Sequence, residues 1–450
     1  MEFPALEQAG ALGFFSSYGK KIYNPTGIFY WSARAKNEAK INATMGSAKG
    51  RASHVLPDGG DENITLCISE LRNMFPNLTT EEVFPYAPEV GLPDFRKAWK
   101  EWLLHKAGDR AAALSEKINL PMVVPGITGA ISICTRMFVD PGAKIVVPDK
   151  RWENYDSVFL RNVGVEVEEF PMFEGGEFNI AGLLAAVERV WQTQDCAAAI
   201  INFPNNPTGY CPPKAKAQEL VDAIHNCMAN TDKKLVLLFD DAYEGYVYDD
   251  NAEARSLFYF IEPSENLLPV KMDGLSKEML WYGARVGAVT LSIPPQWSQK
   301  ANQDDVLKEL ENKFRGMVRN TVSNSSRVAQ SVACKALQKR DAVVAERKKA
   351  IDVLTRRYQM LQEALSKISL AHIEVDPFQG GFFCFINLRP ESGLKASEVC
   401  DHLLKQYQVG TVPLESGDIN GIRVAFCSVE EEDLPTLCES LEKAVSDLVK

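Results

Sequence analysis

The residues best suited to chemistry stand in the segment DGLSKEMLWYGARVG, residues 273 to 287, which places Lys277 and Arg285 eight positions apart. Both cations lie close to the mostly apolar run at residues 279 to 282. Lysine and arginine are rarely buried unless an opposite charge accompanies them. The pair therefore predicts a bound anion, unless both side chains belong to a solvated turn.

Three further polar segments follow predicted strands or open a predicted helix. The turn PNNPTG comes after the strand IINF, and Asp240 follows the strand KLVLLF. Taken alone, the first is an ordinary loop and the second an ordinary helix cap. Residues 126 to 128, after VVP, open a helix whose free N–H groups suit an anion. Because ligands of open α/β sheets bind beyond the carboxyl ends of strands, these segments are candidates for one site.

Composition and motifs disfavour several function classes. A P-loop and a G-x-G-x-x-G after a strand are both missing, so nucleotide binding is poorly supported. The net charge of −11 disfavours a nucleic-acid surface. Five dispersed histidines predict no metal site, and ten scattered cysteines predict reduced thiols in a cytosolic protein. The N-terminus is a poor signal peptide, and no stretch has the roughly 20 apolar residues of a membrane helix.

The elements that must position these residues alternate between helix and strand from about residue 95 to 300. Near-continuous apolar strands between amphipathic helices predict a mostly parallel sheet covered by helices. After about residue 325, long charged helices and short strands predict a second, α+β lobe. The predicted strands are KIVVP, GVEVEEF, CAAAIINF and KLVLLF in the first part, and HIEV, GGFFCFINL and GIRVAFCS in the second.

Eight segments carry more information together than any one of them does alone. They are INATMG, YAPEVGLPDFRKA, PGITGA, RWENY, NNPTG, FDDAY, SKEMLWYGARVG and GIRVAF. In this order, from about residue 40 to 427, the chain resembles the class I/II aminotransferases of the fold type I pyridoxal-phosphate enzymes. The resemblance implies an α/β large domain with a mostly parallel sheet sandwiched by helices, over residues 65–325, and a smaller α+β domain made by residues 1–64 and 326–450.

The resemblance also implies which residues bind pyridoxal 5′-phosphate. Lys277 would form the Schiff base with the cofactor aldehyde, and would later carry the proton between substrate Cα and cofactor C4′. Asp240 would keep the pyridine nitrogen protonated, so that the ring accepts electrons. The other implied contacts are Arg285, Thr128 and the turn Gly126, Ile127 and Gly129 at the phosphate, Asn206 and Tyr243 at the ring oxygen, and Trp152 stacked on the ring.

Substrate binding is implied by the same resemblance. Arg423 would bind the α-carboxylate, next to Trp152 and Asn206, and Gly46 would belong to a segment that closes over the substrate. Tyr86 would reach the partner's phosphate across a homodimer interface. Arg319, in VRNTVSNSS, would select dicarboxylates in the partner's site, unless it is an ordinary exposed helix arginine.

One position departs from the family pattern. Gly274 stands three residues before the lysine, where the family often has a phosphate-binding serine. Ser276 or another group would therefore complete the phosphate site.

The expected activity is transfer of an amino group between an α-amino acid and a 2-oxo acid by a ping-pong mechanism in a cytosolic homodimer. Aspartate, glutamate and aromatic amino acids are the expected donors. Two alternatives stay open: a pyridoxal-phosphate-dependent carbon–sulfur β-lyase on the same fold, and a non-catalytic regulatory protein that binds the same cofactor.

Overall fold

The computed structural model describes residues 3 to 21 and 27 to 449, and its centre is a seven-stranded sheet. In space the strands follow the order β1-β7-β6-β5-β4-β2-β3, and β7 alone runs antiparallel to its two neighbours. The strands are β1 (Met122–Val124), β2 (Lys144–Pro148), β3 (Glu166–Phe170), β4 (Cys196–Ile201), β5 (Lys234–Asp240), β6 (Leu267–Gly274) and β7 (Gly287–Leu291). The predicted mostly parallel sheet is confirmed.

Burial explains why the sequence predicts these strands. Every residue of β5 after Lys234 is buried, as are all of β7 and the last four residues of β2. A strand covered on both faces reads as a continuous apolar run. The four strands predicted in this part of the chain are β2, β3, β4 and β5.

Helices cover both faces of this sheet and build the second lobe. The helix Ile180–Trp191 shows why one forms: the Asn179 side chain caps it by accepting from the Gly182 N–H at 2.7 Å, and its apolar stripe is buried. The longer helices are Ile28–Glu38, Pro93–Ala107, Gly126–Phe138, Ile180–Trp191, Lys214–Ala229, Gln303–Thr321, Arg327–Leu337, Arg340–Leu365, Ala396–Tyr407 and Leu434–Leu448. The shorter ones are Pro4–Gln8, Ser17–Lys21, Ser69–Met74, Thr80–Val83, Ala111–Ser115, Asn154–Asp156, the π-helix Ser157–Val163, Leu275–Glu278 and Pro295–Lys300.

A second, antiparallel sheet has four strands in the order β8-β9-β11-β10. The strands are β8 (Ile373–Val375), β9 (Cys384–Leu388), β10 (Val412–Ser416) and β11 (Ile419–Val424). Three short pairs complete the strands: Ile41–Asn42 with Val409–Gly410, Lys49–Arg51 with Asn63–Thr65, and Phe173–Glu174 with Glu177–Phe178. The division of the chain at residues 65 and 325 stays a prediction.

The turn after β4 connects the two sheets. The carbonyl of Gly209 accepts from the N–H groups of Gln379 and Gly380, both at 3.0 Å. Gly209 has φ +79°, and a Cβ at this position would lie 2.1 Å from the carbonyl oxygen of Phe383. Only glycine fits this contact, because it tolerates positive φ and has no side chain. The turn PNNPTG is thereby fixed against the segment that leads into β9.

No helix in the described part of the chain is long and apolar enough to cross a membrane.

Candidate active site

Asp240 ends β5 and is only 4 % exposed. Its Oδ2 accepts a hydrogen bond from the Tyr155 hydroxyl at 2.5 Å, and its Oδ1 accepts from the Ala242 N–H at 3.2 Å. Burial raises the pKa of Asp240, while the bond from Tyr155 and the charge of Lys277 act in the opposite direction. The Asp240 carboxyl is therefore held in one orientation, and nearby cations favour its charged form.

Lys277 lies in the short helix Leu275–Glu278, which starts directly where β6 ends. Its Nζ is 5.6 Å from the centre of the Tyr243 ring and has no hydrogen-bond partner among the residues that the structure describes. Burial lowers the pKa of Lys277; Asp240 opposes this shift and Arg285 adds to it. A lysine with a lowered pKa gives up its proton more readily, which suits a nucleophile.

A candidate anion site lies where Arg285 meets the start of the helix Gly126–Phe138. The Arg285 Nη1 donates to the Ser276 hydroxyl and to the Tyr282 carbonyl, both at 3.1 Å. A Cβ on Gly126 would lie 2.5 Å from the Arg285 Nη2, so the guanidinium lies against the first residue of the helix. A guanidinium and a helix N-terminus both attract anions. The predicted turn residues Ile127, Thr128 and Gly129 belong to this N-terminus.

Arg423 lies in β11 and is only 4 % exposed. Its guanidinium donates from Nη1 to the Asn206 Oδ1 at 3.2 Å and from Nη2 to the Thr44 carbonyl at 3.0 Å. It also lies 4.4 Å from the centre of the Phe383 ring. Burial lowers the pKa of Arg423, and its Nε has no hydrogen-bond partner in the described part of the chain. An arginine with a free donor in the interior can bind a carboxylate.

Aromatic rings surround these charged groups. The buried Tyr243 ring contacts Phe383 edge-on, with 5.8 Å between the ring centres, and a Cβ on Gly46 would lie 2.5 Å from the same phenylalanine. The half-buried Trp152 contacts the Tyr155 ring edge-on, with the centres 5.8 Å apart. Burial raises the pKa of Tyr243, so its hydroxyl stays protonated and can donate a hydrogen bond.

Comparison with known proteins decides the family. The sequence profile of the family "Aminotransferase class I and II" matches residues 56–441. The chain belongs to this family. The mitochondrial aspartate aminotransferase of Gallus gallus is 24% identical over 365 residues, which is 80% of this chain and 80% of that protein. The aromatic-amino-acid aminotransferase 2 of Thermococcus litoralis is 24% identical over 371 residues, 80% of this chain and 84% of that protein.

The solved structures agree with this aminotransferase fold. The kynurenine aminotransferase of Pyrococcus horikoshii, in complex with PMP, matches with a TM-score of 0.77 and 16% identity over 99% of this chain and 100% of that one. The predicted fold class and the predicted amino-group transfer are confirmed, and the β-lyase and regulatory alternatives are not favoured. The family implies pyridoxal phosphate as the cofactor.

Besides Arg285, whose side chain is exposed, two predicted site residues of the aminotransferase lie on the surface of the single chain. Tyr86 is 88 % exposed, and its carbonyl accepts from the Arg327 Nη1 at 3.0 Å. Arg319 is exposed near the end of the helix Gln303–Thr321, where it donates to the Ser323 hydroxyl. The family resemblance assigns both residues to the partner's site, so their roles stay predictions.

Tyr155 is the site residue that sequence reasoning missed. It stands three positions after Trp152, in the segment RWENY, and its hydroxyl bonds directly to Asp240. The aromatic spacing is visible in the sequence, but nothing there shows which of the two rings carries the hydrogen bond.

Gly274 has a steric reason to be glycine. It faces Gly287 across β6 and β7, and a Cβ on Gly274 would lie 2.6 Å from the Val286 carbonyl oxygen and 2.7 Å from the Gly287 Cα. A Cβ on Gly287 would in turn lie 2.7 Å from the Gly126 carbonyl carbon. These three glycines let the helix N-terminus approach the end of β6. The bond between Ser276 and Arg285 supports the prediction that Ser276 completes the anion site.

Three buried carboxylates, those of Glu244, Asp273 and Glu278, come within 4.8 Å of one another, a spacing that could hold a metal ion. The Lys106 Nζ lies 2.6 Å from Glu244 and 2.5 Å from Glu278, so a lysine ammonium already supplies the positive charge there.

We predict that Tyr155→Phe lowers kcat about tenfold, because Asp240 loses a hydrogen bond that favours its charged form. The acidic limb of the pH profile of kcat should move upward by about one pH unit, since the pKa of the Asp240 carboxyl rises further when the donor is lost. Tyr407→Phe is the control, because it removes a phenol that donates to the Asp447 carboxylate at 2.6 Å on the exposed surface. An unchanged acidic limb in Tyr155→Phe would contradict this role.

We predict that Gly274→Ser destabilises the protein by about 1–3 kcal/mol, because the new Cβ is forced against the backbone of β7. Urea unfolding checks this value. Gly316→Ser is the control, since a Cβ at that exposed helix position meets nothing within 4 Å. A Gly274→Ser protein as stable as the wild type would contradict this prediction, because the space between β6 and β7 would then accept a serine side chain.

Proposed function

We propose that this aminotransferase holds pyridoxal phosphate at Lys277 and moves an amino group between an α-amino acid and a 2-oxo acid. The observation that carries the proposal is the grouping of a free amine, a buried carboxylate and an anion site at the ends of neighbouring strands. Lys277 follows β6, Asp240 ends β5, and Arg285 precedes β7. Strand ends in an α/β sheet are where ligands bind.

The side chains present fit this cofactor. Lys277 has an Nζ without a hydrogen-bond partner in the described residues, and Arg285 with the helix N-terminus offers a site for a phosphate. Asp240 offers a carboxylate for a ring nitrogen. When bound, pyridoxal phosphate supplies an aldehyde that takes up amines and a ring that accepts electrons from the substrate Cα. The remaining proposed contacts, which the family resemblance implies, are Asn206 and Tyr243 at the ring oxygen and Trp152 against the ring.

Three residues of the chain then have separate roles in proton transfer. Lys277, whose pKa burial lowers, would take the proton from the substrate Cα and return it at the cofactor C4′. Asp240 would stabilise a proton on the ring nitrogen of the bound cofactor through its negative charge. Tyr155 keeps the Asp240 carboxylate in the orientation that this requires, through its 2.5 Å hydrogen bond.

Arg423 would bind the α-carboxylate of the substrate. Its fixed fork of N–H donors suits a planar carboxylate, and its free Nε, which lacks a partner among the described residues, leaves one donor available. The contacts with Asn206 and Thr44 hold the guanidinium in place between the two sheets. Gly46, close to the Phe383 ring, would let the segment INATMG pass over the bound substrate.

The substrates and the assembly are the least constrained part of the proposal. We propose aspartate or aromatic amino acids as donors, following the names of the two relatives, and glutamate as a second dicarboxylic donor. We also propose a homodimer in which Tyr86 and Arg319 act in the partner's site; their exposure in the single chain supports this. The cytosolic location stays a prediction from cysteine usage.

We predict that the purified protein with pyridoxal phosphate has a visible absorbance band and converts amino acids only when a 2-oxo acid is supplied. Lys277→Ala should lose the band and lower kcat at least about 1,000-fold, because the chain loses both its cofactor link and its proton carrier. Lys348→Ala is the control, since Lys348 is exposed and pairs with Asp352 one turn further along its helix.

A panel of amino acids with 2-oxoglutarate as the acceptor reads out the donor class. Release of pyruvate and ammonia without an acceptor would contradict amino-group transfer. A wild-type protein without a visible band would contradict the cofactor assignment.

We predict that Arg319→Ala lowers kcat/KM about 100-fold for aspartate and glutamate, because their side-chain carboxylate loses its partner, and leaves aromatic donors unchanged. Arg315→Ala, one turn earlier on the same helix, is the matched control: Arg315 pairs with Glu311 on the surface.

Hybrid dimers test whether Arg319 acts across an interface. When subunits carrying Lys277→Ala are mixed with subunits carrying Arg319→Ala, a hybrid dimer contains one site with both residues intact. Recovered aspartate activity in the mixture supports the shared site. An Arg319→Ala protein with unchanged aspartate activity contradicts the selector role, and a mixture without recovery contradicts action across the interface.

A further inference from the structure

Six charged side chains form a buried cluster behind the active site, here called the buried charge cluster. Along β6, Lys271 and Asp273 alternate with Met272, which pairs with Asp240 in the neighbouring strand. Because side chains alternate along a strand, Lys271 and Asp273 face away from the side on which Asp240 lies. The members of the cluster are Lys106, Lys271, Asp241, Glu244, Asp273 and Glu278.

Two lysines hold the cluster together. The fully buried Lys271 Nζ bonds to the Asp241 carboxylate and lies 2.8 Å from the Glu244 Oε2. The Lys106 Nζ lies 2.6 Å from the same Glu244 oxygen and 2.5 Å from the Glu278 Oε1. Glu244 therefore joins the two lysines, and the chain of ion pairs runs without a break from Asp241 to Glu278.

Neutral donors fix the carboxylates in place. The Trp102 Nε1 donates to Glu278 at 2.6 Å, and the Trp99 Nε1 donates to Asp273 at 2.9 Å. The Tyr259 hydroxyl donates to Glu244 at 2.7 Å. Buried polar groups that are linked in this way rigidify their surroundings, and removing one member leaves another unpaired.

The cluster has more acids than bases. Four carboxyl groups share two lysines, and one oxygen each of Asp273 and Glu278 has no hydrogen-bond partner within residues 3–21 and 27–449. Burial raises the pKa of Asp273 to about 7, so a proton retained on this carboxyl near neutral pH relieves part of the negative charge. A buried cluster of this kind is expensive to maintain, and hydrophobic residues would often be at least as stabilising.

The cluster is joined to both central residues of the active site. Asp241 directly follows Asp240, and Glu278 directly follows Lys277. Arg347 adds a second connection: its guanidinium donates to the backbone carbonyls of both Glu244 and Glu278, the latter at 3.0 Å. The cluster thus holds the segment that leaves β5 and the helix that leaves β6 to one another.

We propose that Glu278 and Asp241 are positioning residues, and that the buried charge cluster between them holds Lys277 and Asp240 in the relative position that proton transfer requires. Neither side chain touches substrate or cofactor in this proposal. It rests on the proposed function, because it gives Lys277 and Asp240 the roles described above.

Glu278→Gln in the holoenzyme is the test, because it removes the charge but keeps an oxygen that can accept from Trp102. We expect kcat to fall about tenfold and KM to change less than about threefold, since Arg423 lies outside the cluster. The pH at which the visible absorbance is half changed should fall by about 0.5 unit. The Asp240 charge raises the pKa of Lys277, and a displaced Lys277 experiences less of this charge. A merely structural role would leave this midpoint unchanged.

Two further variants complete the design. Glu311→Gln is the matched control, because it breaks an ion pair of 2.6 Å with the buried Arg96 outside the cluster. Trp102→Phe keeps all charges and removes only the indole donor to Glu278, and we expect a loss in kcat of about threefold with a smaller shift of the midpoint. If Glu278→Gln does not fold, the kcat and the absorbance midpoint of Trp102→Phe test the positioning role.

The outcomes separate the two proposals. A wild-type protein without a visible band or amino transfer contradicts the proposed function. An active wild type whose Glu278→Gln or, failing that, Trp102→Phe variant keeps both kcat and the absorbance midpoint contradicts the positioning role. A midpoint that falls in these variants and stays constant in Glu311→Gln supports it.

Discussion

The structure depends on an imbalance of charge at the ends of the central strands. Lys277, Arg285 and Arg423 bring three cations to this region. The Asp240 charge opposes that of Lys277, and the Glu153 charge opposes that of Arg423. Burial lowers the pKa of Lys277 and of Arg423, so their positive charges are costly as long as anions are missing. In the proposed function, a substrate carboxylate opposite Arg423 offsets this cost, and the exposed Arg285 offers its charge to the phosphate. We therefore propose that the site takes an occupant with two anionic groups.

Close backbone contacts between elements of the fold bring these charged residues together. Gly126, Gly274 and Gly287 bring a helix N-terminus against the ends of β6 and β7, where side chains would keep them apart. Gly209 does the same for the turn after β4, which meets the segment leading into β9. Arg423 reaches the site through that second connection. The candidate active site thus combines residues from both sheets, and the ion pairs of the buried charge cluster hold the helix that carries Lys277.

The sequence is informative where chemistry and local pattern coincide. Apolar runs predict β2 and β5, whereas the spacing of Lys277 and Arg285 predicts a bound anion only together with the other segments of the site. The roles of Tyr155 and Lys271 cannot be predicted from the sequence, because they depend on partners distant in the chain. Tyr155 donates a hydrogen bond to Asp240, 85 positions away. Lys271 can be buried because it forms ion pairs with Asp241 and Glu244. A charged residue inside a strand reads as exposed until its partners are known.

The whole mechanism requires that Lys277 is the residue that carries the cofactor. Reduction of the holoenzyme with borohydride, followed by digestion and mass spectrometry, tests this requirement because it converts a reversible link into a permanent one. We expect one peptide, the one containing Lys277, to carry the reduced pyridoxyl phosphate group, and Lys106 and Lys271 to be recovered unmodified. Modification at another lysine, with Lys277 free, would contradict the proposed mechanism.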